Sequence, residues 1–491
     1  MITNDPNLPT WLSPAYLEML PKWRRCRDVR GATDTLRAKR SEYLPKFDVE
    51  SAKDWDVRVM MTVVVDWFEQ AITTFVGLGL GHDPELGATT PPEIVADWEN
   101  LDGEGNHGAV VAQYALDQAL TDGHMVLLTD YPVVSRSLTK LEEIDQDICP
   151  YVVRIPIDRI LSWRVSTLGA AQVVTQVVFE EPTMINEGAF GSTSLMQYRV
   201  FRLRDTGTTT EVAWEKWRTL EKETVRIAEG VLRGPKRIPM AVVYGGQQDG
   251  LLRSRPPFDG LAHSNLRWAQ LMSDRTASLH RCGIPIPVII GQFALDPLTG
   301  KPPADVKMSS SHPLQIDQGG DFKIVEAQGT ALEQTRLDLQ DWEKRIAAQS
   351  LAMLQRDTAN ADTATAHRMN RGREESKLGR ALRSLEDALE LSLQFMCDYR
   401  GLDRELIDVT VRRDYGDVVN PVTLELLSQL QLRGQLTMTR LLRELQRASM
   451  FSRDFNVENE TADLETDAKE ADTTTADQAA INAKKTGTLS Q

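Results

Sequence analysis

The 491-residue chain has four cysteines, Cys26, Cys149, Cys282 and Cys397, and no two stand at CxxC spacing. That scarcity excludes a disulfide scaffold and a zinc ribbon and suits a reducing interior. No window approaches about eighteen consecutive apolar residues, so no membrane-spanning helix is expected. The opening MITNDPNLPTW has no basic segment leading into an apolar one, so no secretory leader is expected. Positive charge is in deficit: 56 Lys and Arg against 71 Asp and Glu leave a formal net charge of −15. Such a balance argues against tight DNA binding by phosphate neutralisation. It is compatible with a wall that DNA slides past, because acidic surfaces repel phosphates and leave them mobile.

The motifs of the common catalytic classes are missing as well. There is no GxxxxGK[ST] loop, GxSxG elbow, HExxH pair or EF-hand loop. The seven histidines form no evident triad, and His280 with Cys282 has no second pair at zinc spacing. We therefore expect no enzyme, no metal and no cofactor. Gly103-Glu104-Gly105-Asn106-His107-Gly108 spells GxGxxG ahead of a predicted helix. The residues before it, ADWENLD, are polar and helical, where the dinucleotide fingerprint needs an apolar strand. It reads as a glycine-rich helix start. Gly77-Leu78-Gly79-Leu80-Gly81 follows a helix and reads as its stop. Glu142, Glu143, Asp145 and Asp147 read as a solvated turn in preference to a metal site.

What the chain does contain is an ordinary globular composition, 41% hydrophobic and 26% charged. Its length suits two to four domains. Lys22, Arg24, Arg25, Arg27, Arg30, Arg37, Lys39 and Arg40 form the one clearly basic stretch. They read either as a solvated helix face or as an arm that contacts acidic neighbouring subunits or nucleic acid. A helix is predicted over Glu50–Val76, with Val59, Val63, Trp67, Ile72 and Phe75 on its buried side. Shorter helices follow over Pro91–Asn100 and Gly108–Leu120. Residues 125–245 read as a mostly antiparallel sheet region. Met125–Thr129 and Pro239–Tyr244 are its buried strands, and Tyr151–Ile155, Ile160–Val165, Ala171–Glu180, Ser194–Arg204 and Glu211–Arg218 its other β-rich segments. Gly245–Pro257, rich in Gly, Arg and Pro, reads as a boundary.

The rest is organised around three long helical patterns. Asp259 is placed as the N-cap of a helix over Gly260–His280, with Leu261, Trp268, Leu271, Met272 and Leu279 on one side. A β-rich insertion, Cys282–Gly329, separates it from a helix over Leu332–Leu354 with Leu332, Leu339, Trp342, Ile346 and Met353 in a stripe. A short polar break at Arg356–Thr365 leads to a third helix, Ala366–Tyr399, carrying Leu378, Leu382, Leu385, Leu389 and Met396. The helices either side of that break would each reach roughly 35–50 Å at 1.5 Å per residue. Leu406–Val411 reads as a strand, Pro421–Gln431 and Thr437–Ala448 as helices, and Asn456–Gln491 as an acidic, disordered tail.

This order of parts resembles the portal proteins of tailed bacteriophages, and the local wording agrees. The stretches that carry the likeness are YLPKFDVESAKDW, DGHMVLLTDYP, IPIDRILSWRV, RSRPPFDGLAHSNLRWAQLMSD and TATAHRMNRGREESKLGRALRSLEDALE. Each is loose alone, and their order over roughly residues 40–415 is what resembles the family. The resemblance implies a portal-like α+β fold. Its parts would be a wing at 47–258, a stem helix at 259–281, a β-rich clip at 282–331 and a second stem helix at 332–355. A tunnel loop at 356–365, a wing-spanning helix and return strand at 366–416 and crown helices at 417–455 would follow. The arm at 1–46 and the tail at 456–491 inherit nothing from it.

The resemblance further implies a homo-oligomeric ring, commonly of twelve subunits, at one capsid vertex of a virion made in the host bacterial cytoplasm. Double-stranded DNA would be packaged and ejected through it, and a terminase, the major capsid or scaffolding protein and a tail adaptor would dock on it. Arg356, Asp357, Thr358, Asn360, Asp362, Thr363 and Thr365 would line the channel. Trp268, Leu271, Met272, Leu339, Trp342 and Ile346 would pack the stem. Ring packing also predicts large exposed apolar patches on the stem helices of a single subunit. Two other readings stand beside this one. A head-tail adaptor or minor capsid protein leaves the helix–clip–helix order unexplained, and an α/β enzyme lacks its nucleophile, metal and phosphate motifs.

Overall fold

The computed structural model describes residues 5–48, 50–132, 146, 148–205, 210–220, 223–282, 286–290, 321–325, 330–350 and 377–413, with 437, 439, 440 and 442. The chain divides into two units, Met1–Val411 and Arg412–Gln491. The expected tunnel loop, the acidic tail, the carboxylate cluster at 142–147 and nearly all of the crown helices lie outside the described residues.

Helix α1 (Pro14–Arg30) starts at Ser13, whose hydroxyl accepts from the Tyr16 amide at 3.2 Å, with Pro14 pre-set for the first turn. Tyr16, Met19, Trp23, Cys26 and Val29 fall three or four apart and are all buried. Three arginines of the same helix are engaged inside the chain. Arg25 bonds Asp259, Arg27 bonds Asp122 and Asp158, and Arg30 bonds Asp117 and Glu69. The basic stretch is therefore neither a solvated face nor a free arm at these positions. Each guanidinium is spent on carboxylates brought from distant sequence.

After α2 (Ala32–Lys39), the single helix expected over Glu50–Val76 proves to be two, α3 (Ala52–Met61) and α4 (Trp67–Gly79). Thr62-Val63-Val64-Val65 lies between them. Four consecutive β-branched residues lose side-chain freedom in a helix, and Thr62 takes an extended conformation. Val63, expected on the buried side, is 59% exposed. Next come β1 (Glu85–Leu86), α5 (Pro92–Trp98) and α6 (Gly108–Asp122). The GxGxxG loop joins α5 to α6, so a helix precedes it. Asp102 accepts there from the amides of Glu104 and Asn106 at 3.0 and 3.2 Å, and His107 caps α6.

The fold is α+β, and both of its main sheets are antiparallel. Strands β2 (His124–Asp130), β3 (Tyr151–Pro156) and β9 (Met240–Tyr244) form one sheet in the order β3-β2-β9. Strands β4 (Ile160–Leu168), β5 (Ala171–Glu187), β6 (Gly191–Asp205), β7 (Thr210–Leu220) and β8 (Glu223–Val231) form a meander. The edge strand β8 escapes the sequence reading because none of its residues is fully buried, so alternation leaves little trace. The expected boundary at Gly245–Pro257 instead holds a small hairpin, β10 (Gln248–Gly250) with β11 (Arg253–Ser254). It packs closely on the turn after α6. Gly123 has φ +98, and a Cβ there would stand 2.7 Å from the Ser254 carbonyl.

The remaining elements are α7 (Asp259–Cys282), β12 (Ile286–Ile290), β13 (Asp321–Val325), α8 (Thr330–Ser350), α9 (Lys377–Arg400) and β14 (Val409–Thr410). The strand expected over Leu406–Val411 shrinks to β14, paired with β1, because Arg404–Leu406 form a 3-10 turn capped by Asp403. Every residue of β2 is buried. Val126 and Leu128 join Tyr16, Met19, Trp23, Phe179 and Phe201 in one core. Thr129 instead donates to the Ser392 carbonyl of α9 at 3.1 Å. The buried stripe Leu378, Leu382, Leu385, Leu389 and Met396 on α9 matches the expected one.

His124, also on β2, stacks on Tyr244 at 5.8 Å between ring centroids and meets Trp23 edge-on at 6.4 Å. Burial pushes its pKa down to about 3. The ring is thus neutral in the fold and gains a proton on unfolding below its ordinary value of about 6.5. Its contribution to stability is full above pH ~6.5 and is lost as the pH falls toward ~3. His124→Phe keeps a ring against Tyr244 and should recover roughly 2 kcal/mol of unfolding free energy at pH ~5 relative to the unmodified protein. Urea titrations across that pH range check it. An acid slope unchanged by the substitution would assign the titration to another group.

Candidate functional site

Helices α7 and α8 with the hairpin between them form the unit to which the sequence assigned its stem residues. Strands β12 and β13 pair antiparallel from Ile286↔Val325 to Ile290↔Asp321, so the end of α7 and the start of α8 converge on one hairpin. The helices then run antiparallel. Trp268 lies about as far before the hairpin as Glu343 lies after it, and its indole N–H donates to Glu343 Oε1 at 3.3 Å. Trp268 also meets Trp67 of α4 edge-on, with ring centroids 4.7 Å apart.

Of the predicted stem residues, Trp268, Leu339 and Ile346 are buried, and Leu271, Met272 and Trp342 are half-buried. Leu339 and Ile346 stand one heptad apart, which places a narrow seam of α8 inward. Most of α8 between and around them is exposed. Arg345 sits over the Trp342 ring at 5.1 Å. The described stem helices expose Leu279 and Leu337. A denser exposed set lies on α3 and the segment after it, where Val57, Met60, Met61 and Val63 are all exposed. The expectation of large apolar patches on the stem itself is corrected accordingly.

The first half of α7 is clamped by polar groups that sequence reading did not single out. Asp259 is the first helical residue rather than the cap, and Arg25 holds its carboxylate with bonds of 3.1 and 2.6 Å. Negative charge in a first turn also suits the helix dipole. Asn265 accepts from the Phe68 amide at 3.3 Å and donates to the Val65 carbonyl at 3.0 Å. It therefore pins the break between α3 and α4. A signal was available, since Asn265 lies between Leu261 and Trp268 on an otherwise apolar face. Gln270 donates to the Tyr43 carbonyl at 2.9 Å. Ser273 meets Thr62 at 2.8 Å and Arg58 at 3.3 Å.

Arg58 is the centre of this clamp. Its side chain is 3% exposed and that of its partner Glu50 is 1% exposed, with Nε and Nη2 each 2.9 Å from a carboxylate oxygen. A further bond runs to the Pro45 carbonyl at 2.6 Å, and the guanidinium lies over the Phe47 ring at 4.6 Å. Asp274 of α7 stands 3.7 Å away, its carboxyl raised by burial against the pull of Arg58. Beyond Asp274 the helix loses these partners, and Ser278, Leu279 and His280 are exposed.

The residues predicted to line a channel, Arg356, Asp357, Thr358, Asn360, Asp362, Thr363 and Thr365, lie outside the described residues, as does most of the predicted clip. No group of three His, Cys, Asp or Glu suited to a metal occurs among the described residues. No described helix is long and apolar enough to cross a membrane.

A family model described as a domain of unknown function, DUF4055, matches residues 257–400. That span runs from the start of α7 to the end of α9. No curated protein matches the chain. Among solved structures, the chain is similar to one from the neck of an empty GTA particle computed with C6 symmetry. Identity there is 14%, TM-score 0.40, and the match covers 79% of this chain and 91% of that one. Another is from the virion of a native gene transfer agent (GTA) particle, at 13% identity and TM-score 0.38, covering 83% and 97%. A third is from the neck of a native GTA particle computed with C12 symmetry, at 13% identity and TM-score 0.37, covering 84% and 98%. Likeness at this level leaves function to be argued from the chain's own residues.

Breaking a buried ion pair by removing one partner costs about 3–5 kcal/mol, because the other charge stays buried. Arg58→Met should therefore lower the unfolding free energy by at least ~3 kcal/mol, and Arg58→Met with Glu50→Leu should regain much of it. Urea unfolding of the three proteins measures both. A single-variant loss below ~1 kcal/mol would remove Arg58 from the clamp.

Proposed function

We infer that the chain is a structural portal subunit, one of a ring through which double-stranded DNA enters and leaves a capsid. Helices α7 and α8 would be the stem, the β12–β13 hairpin the root of the clip, and residues 356–365 the loop that lines the channel. The observation that carries this reading is α8. Among its described residues, a helix of 21 residues buries Leu339 and Ile346 alone, which leaves its other described faces for neighbouring copies.

Two further features support it. The channel loop reads RDTANADTAT, one Arg followed by short Asp, Asn, Thr and Ala side chains, which can touch phosphates without gripping them. The net charge of −15 per chain, repeated around a ring, repels a DNA backbone from the wall. The docking partners would be those of such a ring: a terminase during packaging, the capsid or scaffolding protein around it, and a tail adaptor on the clip.

Negative-stain electron microscopy of the purified full-length protein should show rings with an axial hole. Particles lacking an axial channel would end this reading. Asp357→Lys with Asp362→Lys should slow or stall DNA packaging by assembled capsids, because cations placed in the channel hold the phosphates. Packaging at the unmodified rate would remove the loop from the mechanism.

A further inference from the structure

Two adjoining cavities, of about 390 and 470 Å³, lie between the segment that leads into α1 and the meander sheet. Pro6, Trp11, Trp163 and Arg164 line both, so together they form one elongated groove. Its first wall is the leading segment, where the Leu8 amide donates to the Asp5 carbonyl and the Trp11 amide to the Leu8 carbonyl, each at 3.1 Å. The Ser13 amide donates to the Leu161 carbonyl at 3.0 Å and fastens that wall to β4. The other wall is one face of the sheet. Register puts Arg164 of β4 opposite Gln176 of β5, and Gln176 opposite Arg202 of β6. Cross-strand partners share a face, so the three make a row with a guanidinium at each end. Neighbouring strands lie about 4.8 Å apart, which separates the two arginines by roughly 10 Å. Val178 and Val200, each 2% exposed, form an apolar floor beside the row.

The groove holds hydrogen-bond donors that the fold has not used. Arg164 is exposed, and its side chain has neither an ion pair nor a hydrogen bond among the described residues. Arg202 has one distant carboxylate, Glu215 at 3.4 Å, and its side chain is 45% exposed. The indole N–H groups of Trp11 and Trp163 meet no acceptor among the described residues and, unlike that of Trp23, are not buried. The one carboxylate in the described lining, Glu18, is taken by Arg253 at 2.6 Å. An occupant must therefore supply acceptors, negative charge and flat apolar faces to lie on the indoles.

A polyproline II segment supplies all three when it carries acidic residues. Its backbone carbonyls make no internal bonds, its prolines dock on aromatic walls, and three residues complete a turn of about 9 Å. Carboxylates three residues apart thus recur on one face at nearly the spacing of Arg164 and Arg202. A β-strand presents no such pattern, since residues three apart point to opposite faces. Two guanidiniums over a valine floor are also too few for a nucleic-acid backbone, whose binding rests on many phosphate contacts.

We propose that this groove binds a polyproline II segment of a partner protein with acidic residues at every third position. Ring formation is not required for it. Full-length protein titrated with a fluorescein-labelled peptide repeating Pro-Pro-Glu, followed by anisotropy, should show binding. A peptide repeating Gly-Gly-Glu should bind about tenfold more weakly, because it must be ordered first. Arg164→Gln, which breaks no bond among the described residues, should weaken binding of the Pro-Pro-Glu peptide about fivefold or more. Trp163→Phe keeps a ring packed on the core but removes the N–H, and should weaken binding severalfold. Lys53→Gln, exposed on α3, should leave binding unchanged.

The proposal is overturned if the Pro-Pro-Glu peptide fails to bind, or if Arg164→Gln and Trp163→Phe bind it as the unmodified protein does. It is equally overturned if the Gly-Gly-Glu peptide binds as tightly, if Lys53→Gln weakens binding as much as Arg164→Gln, or if a DNA duplex displaces the peptide at equal charge concentration.

Discussion

Three arginines on α1 set the positions of the elements around them. Arg27 meets Asp122 side by side, Nε to Oδ1 at 3.0 Å and Nη2 to Oδ2 at 2.6 Å. Arg30 meets Asp117 end-on, Nη1 to Oδ1 at 2.6 Å and Nη2 to Oδ2 at 2.8 Å, and also reaches Glu69. Such forks fix direction as well as distance. Burial pushes the Asp122 carboxyl up to about 6 while Arg27 pulls it back, so the guanidinium is what keeps that charge tolerable at 1% exposure. One helix thereby fixes where α6 ends, where α4 lies and, through Arg25 and Asp259, where α7 begins.

The consequences pass to β2. With α6 ending at Asp122 and the chain reversing at Gly123, β2 must run between two layers. Its His124, Val126 and Leu128 face α1 and the meander sheet, while Thr129 reaches α9. A strand buried on both faces needs a continuous apolar run, and MVLLT supplies it. The same layering gives α9 its wide apolar stripe, and Arg400 fastens its far end to Asp97 of α5 at 2.6 and 2.9 Å. Thus α7, the first helix of the proposed stem, and α9, which follows the stem in the chain, are each tied to the first half of the chain by buried or half-buried charge.

What the sequence made legible was the part written in periodicity. The stripe of α9, the run in β2 and the alternation in β6 are strong hydrophobic signals, and all three elements are found. The failures have local physical causes. The α3–α4 break was hidden because Val63, Val64 and Val65 count as apolar in a helical pattern although their branching opposes a helix. Strand β8 was missed because an exposed edge strand needs no alternation. The arginines of α1 were misread because pairing depends on Asp117, Asp122 and Asp259, which are near in space and far in sequence. The clamp at Arg58 and Glu50 was unreadable for the same reason, whereas Asn265 on an apolar face was a clue that could have been taken.

The contrast between α7 and α8 follows from this distribution of partners. The first half of α7 is held by Arg25, Asn265, Gln270, Ser273 and Arg58, so its direction is set by the body of the first unit. Helix α8 has no comparable set among the described residues. It follows α7 through the Trp268–Glu343 bond and a two-residue seam, and much of its remaining surface carries charge: Glu333, Arg336, Asp338, Asp341, Lys344 and Arg345. Exposed charges of mixed sign add little to the stability of a single chain. In the proposed head-to-tail ring they would meet a different surface of the next copy and help set its angle. On the proposed portal reading, a helix aimed by its own chain on one side and left polar on the other would suit packing against identical neighbours.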